Sequence, residues 1–397
     1  MNINSRDFLA AAAAASAGVG LLALPSFAQS GSVTSAANRY KKLLILVELK
    51  GANDGLNTFV PYADEAYYAL RPTIGIKRDQ VLQLSDQFGL HPALDSLMPM
   101  WAKGELATVA GLGYPQPNLS HFRSIEIWDT GSNSADYLPE GWLARAFASV
   151  APPKSFVADG VAVGGGDLGP FAGGAAGSRA LSIASTEAFI RQAKLADPQG
   201  RASNKALQHI LRLEGEVQSA ALNLNPNAVL KTEFPSHAFG QQVKTAMQIV
   251  AASPGVAALR VGLGSFDTHQ GQLNAQQTLL KQLGEGLAAI KTASVELGRW
   301  QDTVVVTYCE FGRRAKENQS GGTDHGTANT QFVLGGAVKG GLKGMHPSLT
   351  QLAGENLIHT LDYRSLYASL LRDWWGFSGT QSEQVLGGKF ASVPLFA

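Results

Sequence analysis

The 397-residue sequence contains a single cysteine, Cys309. That excludes a disulfide scaffold and any zinc or iron–sulfur site built from thiolates. Charge is scarce as well. Charged residues make up 16% of the chain, and 32 Lys+Arg against 31 Asp+Glu leave a formal net charge of +1. Without a basic excess the chain lacks the electrostatic footprint of a nucleic-acid partner. Beyond the first 30 residues no stretch reaches the ~18 uninterrupted apolar residues of a membrane span. What the chain has in quantity is apolar and small: 45% hydrophobic residues and 44 glycines, enough for a large core and long functional loops.

The one long apolar run is FLAAAAAASAGVGLLAL, residues 8–24, followed by Ser26-Phe27-Ala28 with small residues at the −3 and −1 positions of a cleavage site. This reads as a signal peptide over residues 1–28, removed after Ala28, with a retained membrane anchor as the alternative. Ser5-Arg6 resembles a twin-arginine export signal with its first arginine replaced, so either the twin-arginine or the general secretory route fits. The mature protein is then periplasmic or secreted, with no stable membrane span. Residues 29–40, rich in Ser and Ala, form a linker, and 41–397 form one α/β domain with a small cap within 150–235. Oligomeric state leaves no signal in the sequence.

Four segments read as strands buried on both faces: Leu43–Leu49, Leu106–Ala110, Val256–Leu263 and Thr303–Tyr308. Leu279, Leu280, Leu283, Leu287 and Ile290 mark a helix over 274–300 between the last two, so those strands are joined by a parallel crossover. Residues 203–222, 239–252 and 363–375 also read as helices. The fold class is α/β, a three-layer α/β/α sandwich with a mostly parallel sheet.

Ligands of such a sheet bind beyond the carboxyl ends of its strands. There Asp54 follows the first strand, Ser120 and His121 the second, Asp267 and His269 the third, and Glu310 the fourth, with Asp324-His325 in the next loop. Carboxylate oxygen with imidazole nitrogen suits Zn²⁺ or Mn²⁺ first, with Ca²⁺ or Mg²⁺ next. One or two such divalent ions can clamp the oxygens of a phosphoryl or sulfuryl group. Ser120 stands where the helix starting at His121 has its N-cap, a place that favours an anion. Arg123 adds a bidentate contact for an oxyanion, and a hydroxyl beside a metal makes Ser120 a nucleophile.

The segments Gly51–Asn57, Asn118–Phe122, Phe266–His269, Glu310–Arg314 and Gly322–Gly326 together resemble the exported, uncharacterised DUF1501 family. That family in turn resembles the alkaline phosphatase and sulfatase superfamily. The resemblance implies an alkaline-phosphatase-like fold and an exported metal-dependent hydrolase of phosphate or sulfate esters, acting by attack of a metal-activated Ser on a small-molecule or polysaccharide ester. It implies Asp54, Asp267, His269, Asp324 and His325 as ligands, Ser120 as nucleophile, and a late ligand for which His346 is the candidate. Glu310 occupies a strand end where an Asp-His pair often follows directly, and joins the metal set. The absence of Cys-x-Pro-x-Arg argues against a formylglycine-dependent sulfatase. The alternative is a non-catalytic exported binding or assembly protein that keeps the fold.

Each of these residues has a plainer role available. Asp54 fits an Asn-Asp-Gly turn, Ser120 a simple N-cap, and Glu310 an ion pair with Arg313 or Arg314. His91, His209, His237 and His359 have no partner pattern and read as structural. Cys309 reads as a buried small residue, and Trp374-Trp375 as packing for the last helix.

Overall fold

All seven residues of strand β1, Leu43–Leu49, are buried. Leu43, Ile45, Val47 and Leu49 enter one hydrophobic core and Leu44 and Leu46 another, because side chains of a strand alternate between its two faces. An unbroken apolar run is therefore what a strand between two cores requires. The structure is a computed structural model. It describes residues 39–173, 179–185, 215, 228–253 and 255–396. The expected signal peptide and, residue 215 apart, the helix expected over 203–222 lie outside the described residues.

The central sheet adds β2 (Leu106–Gly113), β3 (Ala158–Val163), β4 (Ala180–Ile183), β5 (Val256–Leu263), β6 (Thr303–Tyr308), β7 (Asn329–Gly335), β8 (Gly341–Lys343) and β9 (Leu361–Asp362). Its order is β8-β2-β7-β6-β1-β5-β3-β4, with β9 also on β2. β7 runs antiparallel to β2 and β6, and the other pairings are parallel. The α/β class with a mostly parallel sheet is thus as expected. β5 and β6 are parallel but not adjacent, since β1 pairs with both of them, so the crossover between them spans one strand.

Two helical layers cover the sheet. Helices α3 (Ala238–Ala252) and α4 (Gln272–Glu296) bury Phe239, Val243, Met247, Leu280, Leu283, Leu287 and Ile290 in the core beneath one face. On the other face lie α1 (His121–Thr130), α2 (Trp142–Ser149), α5 (Arg364–Ser369) and α6 (Gly379–Leu386). They contribute Trp128, Trp142, Leu366 and Leu386 to the second core. The last helix was expected over 363–375. It ends as α-helix at Ser369 and finishes in a π turn, Leu370–Trp374, and Trp374 and Trp375 are buried there as packing residues.

The Gly- and Ala-rich stretch expected to form a cap contains β3 and β4, which extend the central sheet at one end; much of the rest of 150–235 lies outside the described residues. Arg39 and Tyr40, expected as linker, already belong to the fold: Tyr40 is buried, and its hydroxyl donates to the Val150 carbonyl at 2.6 Å. No helix among the described residues is long and apolar enough to cross a membrane.

Candidate metal centre

Since β1, β2, β5 and β6 point the same way, the loops that follow them share one edge of the sheet. Three non-glycine residues among those described have positive φ: Ala52 at 64°, Gln116 at 54° and Ser265 at 78°. They lie in the loops after β1, β2 and β5. Strain of this kind persists only where surrounding contacts over-determine the backbone, and it gathers at functional sites. Gly51, at φ 101°, leads the first loop past the third, where a Cβ would stand 2.6 Å from the Asp267 backbone nitrogen.

Arg313 ties these loops together. It is buried, and its guanidinium donates to the carbonyls of Ala52 at 2.8 Å, Thr323 at 3.0 Å and Phe266 at 3.0 Å, and to that of Gly51. It also holds Asp267 Oδ1 at 2.6 Å. Partial burial pushes the Asp267 carboxyl up, but Arg313 outweighs it and holds the group below its ordinary value.

Around that carboxylate three imidazoles converge. His121 Nε2 lies 3.0 Å from His325 Nε2, and His269 Nε2 lies 3.1 Å from the same atom. Asp267 Oδ1 is 3.0 Å from His269 Nε2 and 3.2 Å from His325 Nε2, and Oδ2 is 3.4 Å from His121 Nε2. Bonds of 2.0–2.1 Å to a tetrahedral zinc set neighbouring donors about 3.3 Å apart, so these separations suit one ion. His121, Asp267 and His325 alone already form a group able to hold a metal.

The far side of each ring decides its protonation. His325 Nδ1 lies 2.9 Å from the Leu119 carbonyl, His121 Nδ1 2.7 Å from Glu310 Oε1, and His269 Nδ1 3.0 Å from Asp324 Oδ1. A carbonyl or carboxylate only accepts, so each Nδ1 carries a proton, and a ring that holds no second proton turns a bare Nε2 lone pair inward. Three lone pairs and a carboxylate facing one another repel unless a cation stands among them. The same pattern, an imidazole donating its second N–H to a carboxylate or carbonyl, orients histidine ligands of metals. In the metal-free protein a proton between His121 and His325 relieves part of the conflict. His121 is the ring that takes it: the hydrogen bond to Glu310 raises its pKa, whereas burial lowers that of His325.

The structure therefore brings Asp267, His269 and His325 to one point and sets Glu310 and Asp324 behind two of the rings. Both oxygens of Asp324 face outward partners: Oδ1 meets His269, and Oδ2 lies 3.9 Å from Arg314. Glu310 Oε1 also accepts from the Gly51 N–H at 2.9 Å. His121 has a larger part than the sequence suggested, since it stands at the same strand end as Ser120 but was given no ligand role. Which residue of a helix's first turn faces a site depends on how the helix is rotated, and that rotation is set by the packing of Ile127 and Trp128.

Other expected residues go elsewhere. Asp54 caps a single helical turn, accepting from the Leu56 N–H at 3.1 Å, and its Oδ2 meets Arg71 Nη1 at 2.5 Å and the Gln272 amide. Gln272 in turn accepts from Thr268 at 3.1 Å and Thr323 at 2.7 Å. Asp54 thus braces, from behind, the loops that carry Asp267, His269, Asp324 and His325. Arg123 turns away from the centre, donating to the carbonyls of Ser134 at 3.0 Å and Asp136 at 2.6 Å and pairing with Glu126 at 2.9 Å. The ring of His346 packs on Phe88 at 5.2 Å and Phe59 at 6.1 Å, and its Nδ1 lies 2.8 Å from the Pro347 carbonyl.

Ser120 is the N-cap of α1 but makes no side-chain capping bond, and it is exposed. Its neighbours on both sides are tied to the centre, Leu119 through its carbonyl and His121 through its ring. The Cys309 thiol is buried against the Asn329 and Gln331 amides at 2.9 and 3.1 Å. Burial pushes its pKa up to about 12, which leaves it no nucleophile.

Among solved structures, the chain is similar to the zinc complex of the C-terminal periplasmic domain of EcEptC from Escherichia coli, with 9% identity, 74% of this chain and 72% of that one covered, and a TM-score of 0.38. It is similar to BT1596, a 2-O GAG sulfatase, at 11% identity, with coverage of 88% and 75% and a TM-score of 0.36. It is also similar to a magnesium-bound mutant of TAB5 alkaline phosphatase at 10% identity, with coverage of 74% and 91% and a TM-score of 0.33. Likeness this loose lends no residue roles. No curated protein matches the sequence. One family model does match, over residues 41–385, that of "Protein of unknown function (DUF1501)". The five segments that carry the resemblance all fall inside that span, and the chain belongs to the DUF1501 family.

Proposed function

We propose that the protein is an exported metal-dependent hydrolase of phosphate or sulfate esters. One observation carries the reading: three imidazoles and the Asp267 carboxylate meet at 3.0–3.4 Å with the Nδ1 of each ring already engaged. His121, Asp267, His269 and His325 would hold a single ion of the zinc or manganese type. Such an ion supplies Lewis acidity toward an ester oxygen and eases deprotonation of a hydroxyl.

The chain's own groups do the rest. Glu310 and Asp324 keep two rings in the tautomer that presents Nε2, and Arg313 keeps Asp267 ionised. Ser120 is the nucleophile in this reading, its backbone fixed from both sides. The free N–H groups at the start of α1 favour an anion. They take the part once expected of Arg123, whose guanidinium is committed elsewhere. The apolar segment 8–24 supports export to the periplasm or beyond.

The test begins with protein purified without chelators. Elemental analysis is expected to find about one zinc or manganese per chain. Hydrolysis of 4-nitrophenyl phosphate or 4-nitrophenyl sulfate is expected to disappear with chelation, return with metal, and be lost in Ser120→Ala. Protein without bound metal that also gains no hydrolysis when metal is added refutes the reading.

A further inference from the structure

A cleft of about 620 Å³ opens beside the metal centre, sharing His121, Asp267 and Glu310 with it. Its walls carry four more carboxylates, from Glu48, Glu126, Asp129 and Asp167, of which Glu126 is paired with Arg123 at 2.9 Å, and a single basic side chain, Lys50. Arg260 reaches in from behind, but both its ends are spent, on Glu48 at 3.1 Å and Asp167 at 2.8 Å. Lys50 leans on Glu48 as well, at 3.5 Å. For Asp129 the hydrogen-bond donor is the neutral Tyr308 hydroxyl at 3.1 Å. Glu310, nine-tenths buried in the shared wall, has a second oxygen, Oε2, with no hydrogen-bond partner.

The wall therefore holds more acidic groups than the nearby cations can neutralise. Burial raises the pKa of both Glu48 and Asp129; Asp167 and Glu310 push that of Glu48 up further, and Glu48 and Asp167 that of Asp129. A cation entering the cleft would relieve that conflict, and a second anion would deepen it. At the mouth stands Phe122, 89% exposed one residue after the ligand His121. An aromatic face beside carboxylates is the chemistry that recognises an alkylammonium group.

We propose that this cleft holds the organic half of the ester and selects an alcohol that bears an ammonium group. The proposal rests on the hydrolase reading for its metal-held phosphoryl or sulfuryl end. It excludes polyanionic esters, such as multiply sulfated glycans or nucleotides, as preferred substrates.

The experiment compares phosphocholine with its uncharged isostere, 3,3-dimethylbutyl phosphate, by calorimetry on the metal-loaded full chain. Phosphocholine is expected to bind at least ten-fold more tightly. Asp167→Asn and Phe122→Ala, both at exposed positions, should each cut the preference to below three-fold. Choline and 3,3-dimethylbutan-1-ol, compared by saturation-transfer NMR with and without metal, should show the same order. Equal binding of the two phosphates, or of the two alcohols, overturns the proposal. Inorganic phosphate is the separate control. If it fails to bind the loaded protein while choline still outbinds its isostere, the hydrolase reading falls and the ammonium subsite stands.

Discussion

Adding zinc to the metal-free protein should raise its unfolding temperature, and mass action sets the size of the rise. An ion that binds only the folded chain stabilises it by about 2.7 kcal/mol at a free concentration of 100 Kd. In a domain of this size each kcal/mol moves Tm by about 1.3 °C, so the expected rise is about 3.5 °C. Glu310→Gln retains an acceptor oxygen near His121 Nδ1 but loses the charge behind the ring. Loss of such a partner typically weakens metal affinity 10- to 100-fold, which at the same zinc concentration removes about 1.3–2.3 kcal/mol, or about 2–3 °C, of the gain. His325→Ala removes the ring that meets both other imidazoles and should abolish the rise. Differential scanning calorimetry with zinc, manganese, magnesium and calcium in turn gives the answer. If none of them shifts Tm in the native sequence, or if His325→Ala retains the full shift, the assignment of these four residues to a metal is wrong.

Two further outcomes test the surroundings. Asp54→Ala should destabilise the fold by about 3–5 kcal/mol in urea titrations, because it strands Arg71 as a buried unpaired charge; folded variant protein should still bind zinc, and a loss of stability under 1 kcal/mol would contradict the bracing role. His91 is buried, which lowers its pKa to about 4, and its Nδ1 accepts from the Ala93 N–H at 3.1 Å. As pH falls below about 6.5 the unfolded chain takes up a proton that the folded form refuses until about pH 4, so stability drops over that window. His91→Asn keeps a capping side chain and should remove about 2 kcal/mol of the stability difference between pH 7 and pH 5; an unchanged difference rules this out.

Much of the sheet was legible because its strands lie between two cores. Leu43–Leu49, Val256–Leu263 and Thr303–Tyr308 begin and end in the structure where their apolar runs begin and end. The gathering of acids and imidazoles at one edge was legible for a related reason: parallel strands deliver whatever follows them to the same side. The individual roles were not. The partners of Asp54 are Arg71, 17 positions away, and Gln272, 218 positions away, and nothing in an Asn-Asp-Gly turn announces either. His346 offers the same ring chemistry as His325, and only tertiary packing decides that one stacks on phenylalanines while the other meets two imidazoles.

The grip of Arg313 on the carbonyls of Gly51, Ala52, Phe266 and Thr323 has a mechanical consequence. One planar group rivets together three stretches of backbone that come from different parts of the chain, so they shift as a unit or not at all. Opening and shutting of the pocket, if a reaction cycle demands it, has to be assigned to walls outside those three stretches, and the donors they carry, Asp267, His269 and His325, keep their mutual places throughout.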